Sequence, residues 1–202
     1  MPHSLARRRL ASRAAHLNAR SPHFGRVPFL ALMLDDDRVL DPLQAVRILP
    51  RGALVVVRSR EEERRKRLAH AVVALARARG LIVLIANDAQ LAARCGADGL
   101  HLSEANAHLA AHWRALHPRW FLSAAVHGLH RMRSSTFLDA VFLSPVFPTL
   151  SHSESVAHTA VRANQMARAA RVPVYALGGV TAQNASLLQG FAGVAAIGSL
   201  LP

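Results

Sequence analysis

The stretch Val174-Tyr-Ala-Leu-Gly-Gly-Val-Thr181 joins a short apolar run directly to a pair of glycines. An apolar run of this length is typical of a strand that is buried on both faces. Paired glycines permit a tight turn and let the backbone approach a ligand closely. Toward the end of the chain, the apolar run Val194–Ile197 is followed in the same way by Gly198 and Ser199. Two strand-to-helix turns of one kind predict a fold that is built from repeated β/α units.

Short apolar runs alternate with helix-length amphipathic segments along the whole chain. The runs are rich in Val, Ile and Leu and occupy 29–34, 53–57, 81–86, 99–102, 121–126, 140–143, 174–177 and 194–197. The helical segments occupy 42–49, 61–79, 89–95, 105–116, 129–137, 158–170 and 182–188. This alternation predicts an α/β fold, a closed (β/α)8 TIM barrel. An open doubly wound sheet fits less well, because no G-x-G-x-x-G follows the first run.

One domain is expected for 202 residues, with the barrel over residues 28–202 and a basic helical extension over residues 1–27. The eighth run lies directly before Pro202, so we expect the final helix of the barrel to be short or missing. The apolar surface beside the last strand then needs a cover. A homodimer would provide one. The segment Ser4–Ala19 is also long enough, with one face formed by Leu5, Leu10, Ala14 and Leu17.

The formal charge of +13 raises the question of a nucleic-acid partner. Apart from Lys66 the basic residues are arginines, spread over nearly every predicted helix. No aromatic side chains that would stack on bases interleave with them, so we expect no nucleic-acid ligand.

No apolar run reaches the roughly 18 residues that a membrane span needs, and no membrane partner is expected. A single cysteine, Cys95, excludes an internal disulfide and suits a reducing cytoplasm.

The last two turns are predicted to bind a phosphate, because barrels carry their chemistry at the carboxyl ends of the strands. A glycine-rich turn that leads into a helix N-terminus offers backbone amides to an anion. Two ordinary strand-to-helix turns are the alternative. The amides in question belong to Gly178, Gly179, Ile197, Gly198 and Ser199.

Polar side chains follow several other predicted strands. Arg58 and Arg60 have the spacing that points both to one side, where they would pair with a phosphate; ion pairs with the glutamates that follow are the alternative. Asn87 and Asp88 suit a helix N-cap and equally suit ligands for magnesium or substrate. His127 is either structural or transfers protons near neutral pH. The sequence thus predicts a polar mouth on the barrel.

Four segments, taken in this order, resemble the thiamine phosphate synthase and TenI family of barrels: Ile85–Asp88, Gly96–Leu102, Phe142–Thr149 and Pro173–Thr181. The resemblance runs from about Pro28 to the end of the chain and implies a barrel enzyme. In the synthase branch, a transferase of thiamine biosynthesis, Mg²⁺ assists the coupling of a hydroxymethylpyrimidine pyrophosphate to a thiazole phosphate, with release of pyrophosphate. In the TenI branch, an isomerase tautomerises a carboxythiazole phosphate without a metal.

The resemblance also implies roles for the matching residues. Arg58 would contact the pyrophosphate and assist its departure, with Arg60 where a lysine is usual. Asn87 would contact the pyrophosphate, and Asp88 would bind Mg²⁺. Catalysis would then consist of stabilising the leaving group while the thiazole nitrogen captures a pyrimidine cation. The remaining matches would bind the small phosphorylated substrates, through the loop residues Thr149, Ser151 and His152 and the amides of Gly179, Ile197 and Gly198.

Two charged positions of the family pattern are changed. The second magnesium ligand, usually an aspartate, is Asn106, with Glu104 nearby as a substitute. The lysine that ends the phosphate loop is His152. These changes weaken the pyrophosphate side and leave the thiazole-phosphate side intact. A synthase is the first interpretation, and the alternatives are a TenI-like tautomerase that uses His127 for proton transfer, or a non-catalytic paralogue that binds thiazole phosphate.

Overall fold

The computed structural model describes residues 2–35, 39–133, 136–149 and 157–197. Within these ranges the strands are β1 (Leu30–Asp35), β2 (Leu54–Arg58), β3 (Ile82–Ala86), β4 (Gly99–Leu102), β5 (Phe121–Val126), β6 (Ala140–Leu143), β7 (Val174–Ala176) and β8 (Gly193–Ala196). The α-helices are α1 (Pro2–Ala19), α2 (Pro42–Arg47), α3 (Glu62–Arg79), α4 (Ala89–Cys95), α5 (Ala110–Leu116), α6 (Leu129–Arg133) and α7 (Ala160–Ala169). The strands are parallel and adjacent in chain order, and β8 pairs with β1. The predicted closed (β/α)8 barrel is confirmed.

Both faces of each strand are apolar because one face fills the barrel and the other packs under the helices. The interior is filled by residues at alternate strand positions, chiefly Ala31, Met33, Leu54, Val56, Leu84, Ala140, Phe142, Tyr175 and Ala195. The intervening residues, such as Leu32, Val55 and Val83, form a second cluster with the helices. The barrel therefore encloses a packed core, which restricts ligand binding to its ends.

Two aromatic rings and two polar side chains connect across the barrel interior. The Tyr175 hydroxyl donates to the carbonyl oxygen of Pro28 (2.5 Å), and its ring stacks on Phe142 with centroids 4.7 Å apart. The ring of His101 meets the Phe142 ring edge-on at 4.9 Å, and its Nδ1 lies 2.9 Å from Ser123 Oγ. Complete burial lowers the pKa of His101 to about 3. The imidazole is therefore neutral and belongs to the packed core.

The N-terminal helix α1 packs against the outer side of β8 and β1. Leu10, Ala14 and Leu17 are buried there, whereas Leu5 of the predicted apolar face is exposed. The Asn18 side-chain amide donates to the carbonyl oxygen of Ala192, just before β8. The helix thus covers apolar barrel surface, as expected, and a boundary at residue 27 stays a prediction. Neither α1 nor another helix within the described residues is long and apolar enough to cross a membrane.

Two predicted helices are shorter and tighter than expected. The segment predicted over 105–116 begins as a 3₁₀ turn at Ala107–Leu109 before α5, and the one over 182–188 is a 3₁₀ helix over Asn184–Leu187. In the second case the Asn184 side chain accepts from the Thr181 amide (2.7 Å) and donates to the Gly179 carbonyl oxygen (2.8 Å). Local side-chain bonds of this kind compete with a regular helix. They also anchor the turn that follows β7.

Candidate active site

The carboxyl ends of the strands surround one cavity. Asp35 and Arg58 are register partners on β1 and β2 and both side chains line it. Asp35 had no predicted role, because the apolar run was taken to end at Leu34. Its position directly after that run was the available signal. The full lining is Met33, Asp35, Arg58, Ser144, Thr149, Leu177, Gly178 and Ile197.

The turn after β7 has a backbone that excludes side chains. Gly178 and Gly179 have φ angles of 87° and 65°. A Cβ on Gly179 would overlap the carbonyl oxygen of Pro148 and lie 2.8 Å from that of Phe147. Among the described residues, neither glycine amide has a protein acceptor. Two adjacent amides without protein acceptors can both be offered to an anion. The predicted Gly198 and Ser199 lie outside the described residues.

The loop after β6 is held against the glycine turn by backbone hydrogen bonds. Val146 donates to the Leu177 carbonyl oxygen (2.9 Å) and Phe147 to that of Gly178 (3.0 Å). This places Thr149, as predicted, and the buried Ser144 on the cavity wall. Ser144 had no predicted role, although it lies in the quoted segment Phe142–Thr149. The other predicted loop residues, Ser151 and His152, lie outside the described residues.

The two predicted arginines occupy different positions. Arg58 ends β2 and lines the cavity, while Arg60 is exposed on the following loop and is not part of the lining. Burial lowers the pKa of His101, and the positive charge of Arg58 lowers it further. The structure therefore brings Arg58 to the mouth beside the glycine turn, and leaves Arg60 on its rim.

Asn87 joins the ends of β3 and β4. It is the described non-glycine residue with a left-handed backbone, at φ 53°. Its Oδ1 accepts from the Ser103 amide (2.8 Å) and from Asn106 Nδ2 (3.2 Å), and its own amide donates to the His101 carbonyl oxygen (2.9 Å). Asparagine is among the residues that tolerate this backbone best. Asn106, predicted at the position of the second magnesium ligand, thus donates to Asn87.

Asp88 caps α4 and forms an ion pair with Arg65. One carboxylate oxygen, Oδ1, accepts from the Leu91 amide (2.9 Å), which is the N-cap bond that the sequence offered as one alternative. The other, Oδ2, accepts from Arg65 Nη2 (3.2 Å). No role is predicted for Arg65 from the sequence, because it is one of several consecutive basic residues in α3. Only the fold brings it to Asp88.

His127 lies at the end of β5 with its ring orientation fixed. Its Nδ1 lies 2.6 Å from the carbonyl oxygen of Ser144. A carbonyl oxygen only accepts, so Nδ1 carries the proton in this contact and Nε2 keeps a lone pair. The backbone is held as well, since the His127 amide donates to Glu104 Oε1 (2.9 Å) and its carbonyl oxygen lies 3.1 Å from His158 Nε2. The orientation of the His127 ring and backbone is therefore fixed by contacts from three other segments.

The described donor atoms do not form a ready magnesium site. Magnesium prefers several oxygen ligands in octahedral geometry. Both oxygens of Asp88 are engaged, Asn106 is neutral, and Glu104 accepts from His127. Among the described residues, no three His, Cys, Asp or Glu side chains gather where they could share a metal ion. The single predicted ligand, Asp88, would thus share its Oδ2 with Arg65 if it bound a metal.

Solved structures with the same fold include two from Pyrococcus furiosus. A thiamine phosphate pyrophosphorylase superimposes with a TM-score of 0.67 at 18% identity, covering 85% of this chain and 86% of that one. An N-(5'-phosphoribosyl)anthranilate isomerase superimposes with a TM-score of 0.58 at 16% identity, covering 85% of this chain and 88% of that one. At such identities the likeness establishes the barrel fold and no more.

Sequence relatives are closer. The thiamine-phosphate synthase of Chlorobium luteolum is 30% identical over 189 residues, covering 89% of this chain and 87% of the relative. That of Anoxybacillus flavithermus is 27% identical over 177 residues, covering 81% of each. The family model described as thiamine monophosphate synthase matches residues 35–200. Since this match begins at the end of β1 and extends past β8, it covers well over half of the chain, and the chain belongs to the thiamine monophosphate synthase family.

Proposed function

We propose that the protein is a thiamine-phosphate synthase, which couples a hydroxymethylpyrimidine pyrophosphate to a thiazole phosphate. The observation that carries the proposal is that one cavity has on one wall the amide of Gly178, which has no acceptor among the described residues, and on another the guanidinium of Arg58. Two anionic groups can thus be held at the same mouth. The names of the sequence relatives support this reaction.

The thiazole phosphate is assigned to the side of the mouth formed by the last two strands. Within the described part of the chain, the amides of Gly178 and Gly179 make no hydrogen bond that an incoming anion would have to break. Ile197 lines the same cavity, and Gly198 and Ser199 are proposed to complete the phosphate site. A site made of backbone amides is already in place before the ligand arrives, so little reorganisation opposes binding.

The pyrophosphate is assigned to Arg58, with Arg60, Asn87 and Thr149 around it. The bond between the pyrimidine methylene carbon and the pyrophosphate oxygen breaks, and its electron pair leaves with the pyrophosphate. The thiazole nitrogen then donates its lone pair to the carbon cation. Negative charge grows on the leaving oxygen, and a guanidinium aimed at that oxygen stabilises the transition state more than the ground state. We propose that Ser151 and His152 extend this contact.

The proposal is tested by incubating the purified protein with both substrates and Mg²⁺, and measuring thiamine phosphate and pyrophosphate. Equimolar formation of the two products is expected. Asp88→Ala should abolish turnover, because it removes the partner of Arg65 as well as the cap of α4. Gly128→Ala is a suitable control, since a Cβ there meets no atom within 4 Å. Absence of both products in the wild type would remove the synthase proposal.

A thiazole tautomerase is the second candidate, and the geometry of His127 favours it. The contact between Nδ1 and the Ser144 carbonyl oxygen leaves Nε2 as a proton acceptor at the mouth. A tautomerase moves a proton between two positions of one carboxythiazole phosphate and needs no pyrophosphate side. His127→Ala should then abolish isomerisation while thiazole phosphate still binds. Binding without either reaction would identify the third candidate, a non-catalytic paralogue.

The proposal also includes a cellular localisation and an assembly state. We infer action in the cytoplasm, which suits phosphorylated metabolites and the free thiol of Cys95, a buried side chain whose pKa burial raises. A homodimer stays a prediction. Light scattering of the purified protein measures the assembly state directly.

A further inference from the structure

We propose that Arg65 is a positioning residue that neutralises Asp88 and joins the loops after β2 and β3, where a resident divalent cation would otherwise be held. The role in turnover rests on the proposed synthase function, whereas the metal-binding consequence does not. The positive charge at this edge of the mouth then comes from the Arg65 guanidinium and not from a metal ion.

The contacts of Arg65 reach both loops. Its Nη2 donates to Asp88 Oδ2 (3.2 Å) and its Nη1 donates to the carbonyl oxygen of Ser59 (3.1 Å). Ser59 lies directly after Arg58, the arginine on the cavity wall. One guanidinium therefore fixes the backbone next to Arg58 and the carboxylate next to Asn87. A planar guanidinium with fixed donor directions is suited to such a bridge, and a lysine is less so.

Burial makes this ion pair stronger than a surface pair. The side chains of Arg65 and Asp88 are each 21% exposed. Arg65 Nε is fully buried and has no hydrogen-bond partner in the regions that the structure describes. An unpaired buried nitrogen destabilises the fold, and the bonds of the guanidinium to Asp88 and Ser59 offset this cost. Removing either partner leaves a partly buried charge uncompensated.

The groups around Asp88 oppose a divalent cation in the free protein. Asp88 Oδ1 is committed to the Leu91 amide, and its Oδ2 faces Arg65. Asn106, which would add a second negative ligand if it were an aspartate, instead donates its Nδ2 to Asn87. The positive charge of Arg65 also repels a metal ion at this place. The described residues at this edge of the mouth would therefore hold a divalent cation only weakly in the free protein.

Mn²⁺ titration of the substrate-free protein, followed by electron paramagnetic resonance, tests the proposal. The variants are Arg65→Met alone and Arg65→Met combined with Asn106→Asp. The control Arg67→Met removes an equal charge from the same helix at an exposed position that does not reach Asp88. We expect wild type and control to bind Mn²⁺ weakly, and the double variant to bind at least about tenfold more tightly, which is about 1.4 kcal/mol. Adding Asp88→Asn should reverse this gain.

Two results would overturn the proposal. One is tight Mn²⁺ binding by the wild type that Asp88→Asn removes, since Asp88 would then already hold a metal. The other is a folded double variant that binds no better than wild type, since Arg65 would not be what prevents binding. Circular dichroism and thermal unfolding check the fold of each variant, and Arg65→Lys provides a milder change that keeps the charge.

A kinetic readout separates positioning from a general structural role. Arg65→Met should raise KM for the pyrimidine pyrophosphate about tenfold, roughly the effect of one charge-assisted contact. KM for the thiazole phosphate should stay unchanged, with partial recovery in Arg65→Lys. Equal loss for both substrates would contradict positioning. If the wild type proves inactive as a synthase, the Mn²⁺ titration still decides the metal question.

Discussion

The two sides of the barrel mouth are built in different ways. The glycine side, formed by Gly178, Gly179 and Ile197, presents the backbone amides of Gly178 and Gly179, which have no acceptor among the described residues. The arginine side, formed by Arg58, Asn87, Asp88 and Asn106, consists of side chains, most of which bond to one another or to nearby backbone. The first side is open to an anion as it stands. The second must exchange protein contacts for ligand contacts.

This difference indicates which side of the mouth can change its ligand specificity within one fold. A backbone site is fixed by the strand ends and tolerates few substitutions, because a Cβ would meet other backbone. A side-chain site can be altered one residue at a time, as Asn106 illustrates. One side of such a mouth can thus stay constant while the other side changes. Four substitutions test this comparison.

The largest effect is expected for Gly179→Ala on the glycine side. The new Cβ would overlap the Pro148 carbonyl oxygen, and φ of 65° disfavours any side chain. Because backbone must move, we expect kcat/KM to fall by about a thousandfold, comparable to losing an oxyanion-type donor. Steady-state kinetics with varied thiazole phosphate measures it. Gly128→Ala, with open space around it, should stay near wild type. A loss below tenfold would show that the glycine side is not a rigid backbone site.

The next effect is expected for Arg58→Gln on the arginine side. Losing the guanidinium on the cavity wall removes charge stabilisation of the leaving group, and kcat/KM should fall by about a hundredfold. Arg60→Gln is the matched control on the rim and should lose far less. Affinity for the thiazole phosphate, measured by calorimetry, should be unaffected in both. Equal losses of kcat/KM in the two variants would contradict a special role for Arg58 on the cavity wall.

Beneath both sides, His101→Gln should change how stability depends on pH. The pKa of His101 is lowered from 6.5 to about 3 by burial, so between these values the unfolded chain binds a proton that the folded chain does not. The folded state therefore loses stability as pH falls through this window, by about 2 kcal/mol at pH 5. Urea unfolding at pH 7.5 and pH 5 should show that much less acid loss in the variant. His70→Gln, on the exposed face of α3, is the control; identical acid losses in all three proteins would refute the assignment.

The smallest effect is expected for Tyr175→Phe, which keeps the ring stacked on Phe142 and removes the hydroxyl that donates to the Pro28 carbonyl oxygen. The free energy of unfolding should fall by about 1–2 kcal/mol, because a buried acceptor loses its donor. Ser186→Ala removes an exposed hydroxyl bond and should change it by less than about 0.5 kcal/mol. Kinetics on both sides of the mouth should stay unchanged in Tyr175→Phe. Altered substrate affinity would link the barrel interior to the mouth.

Most of the fold was predictable because burial on both faces leaves a clear apolar run for each strand. The bounds of β4, β5 and β6 match the predicted runs, since a polar or glycine residue lies at their edges. The end of β1 was placed one residue early. Asp35 ends the apolar run but still pairs with Arg58, because ladder bonds are made by the backbone and accept any side chain.

The site divides in the same way. The glycine side follows from local sequence, since Gly178-Gly179 directly after an apolar run predicts a tight turn at the mouth. Arg58 and His127 were also predicted from their places after strands, and the structure brings both to the mouth. The Arg65–Asp88 pair was not predictable, because it joins residues 23 positions apart on different elements. Helical spacing on α3 indicates which residues share a face, and not which face meets Asp88.

The packing of α1 on β8 has a consequence for how the chain folds during synthesis. Leu17 leaves the ribosome early, whereas the strand that it covers follows almost 180 residues later, a delay of roughly 10–40 s at about 5–20 residues per second. Until β8 arrives, the apolar side of α1 lacks part of its native packing surface, because it packs on both β8 and β1. Contacts between distant segments form slowly, so closure of the barrel and docking of α1 are expected together as a final step. A chaperone that binds short apolar helices would act on this segment during the delay.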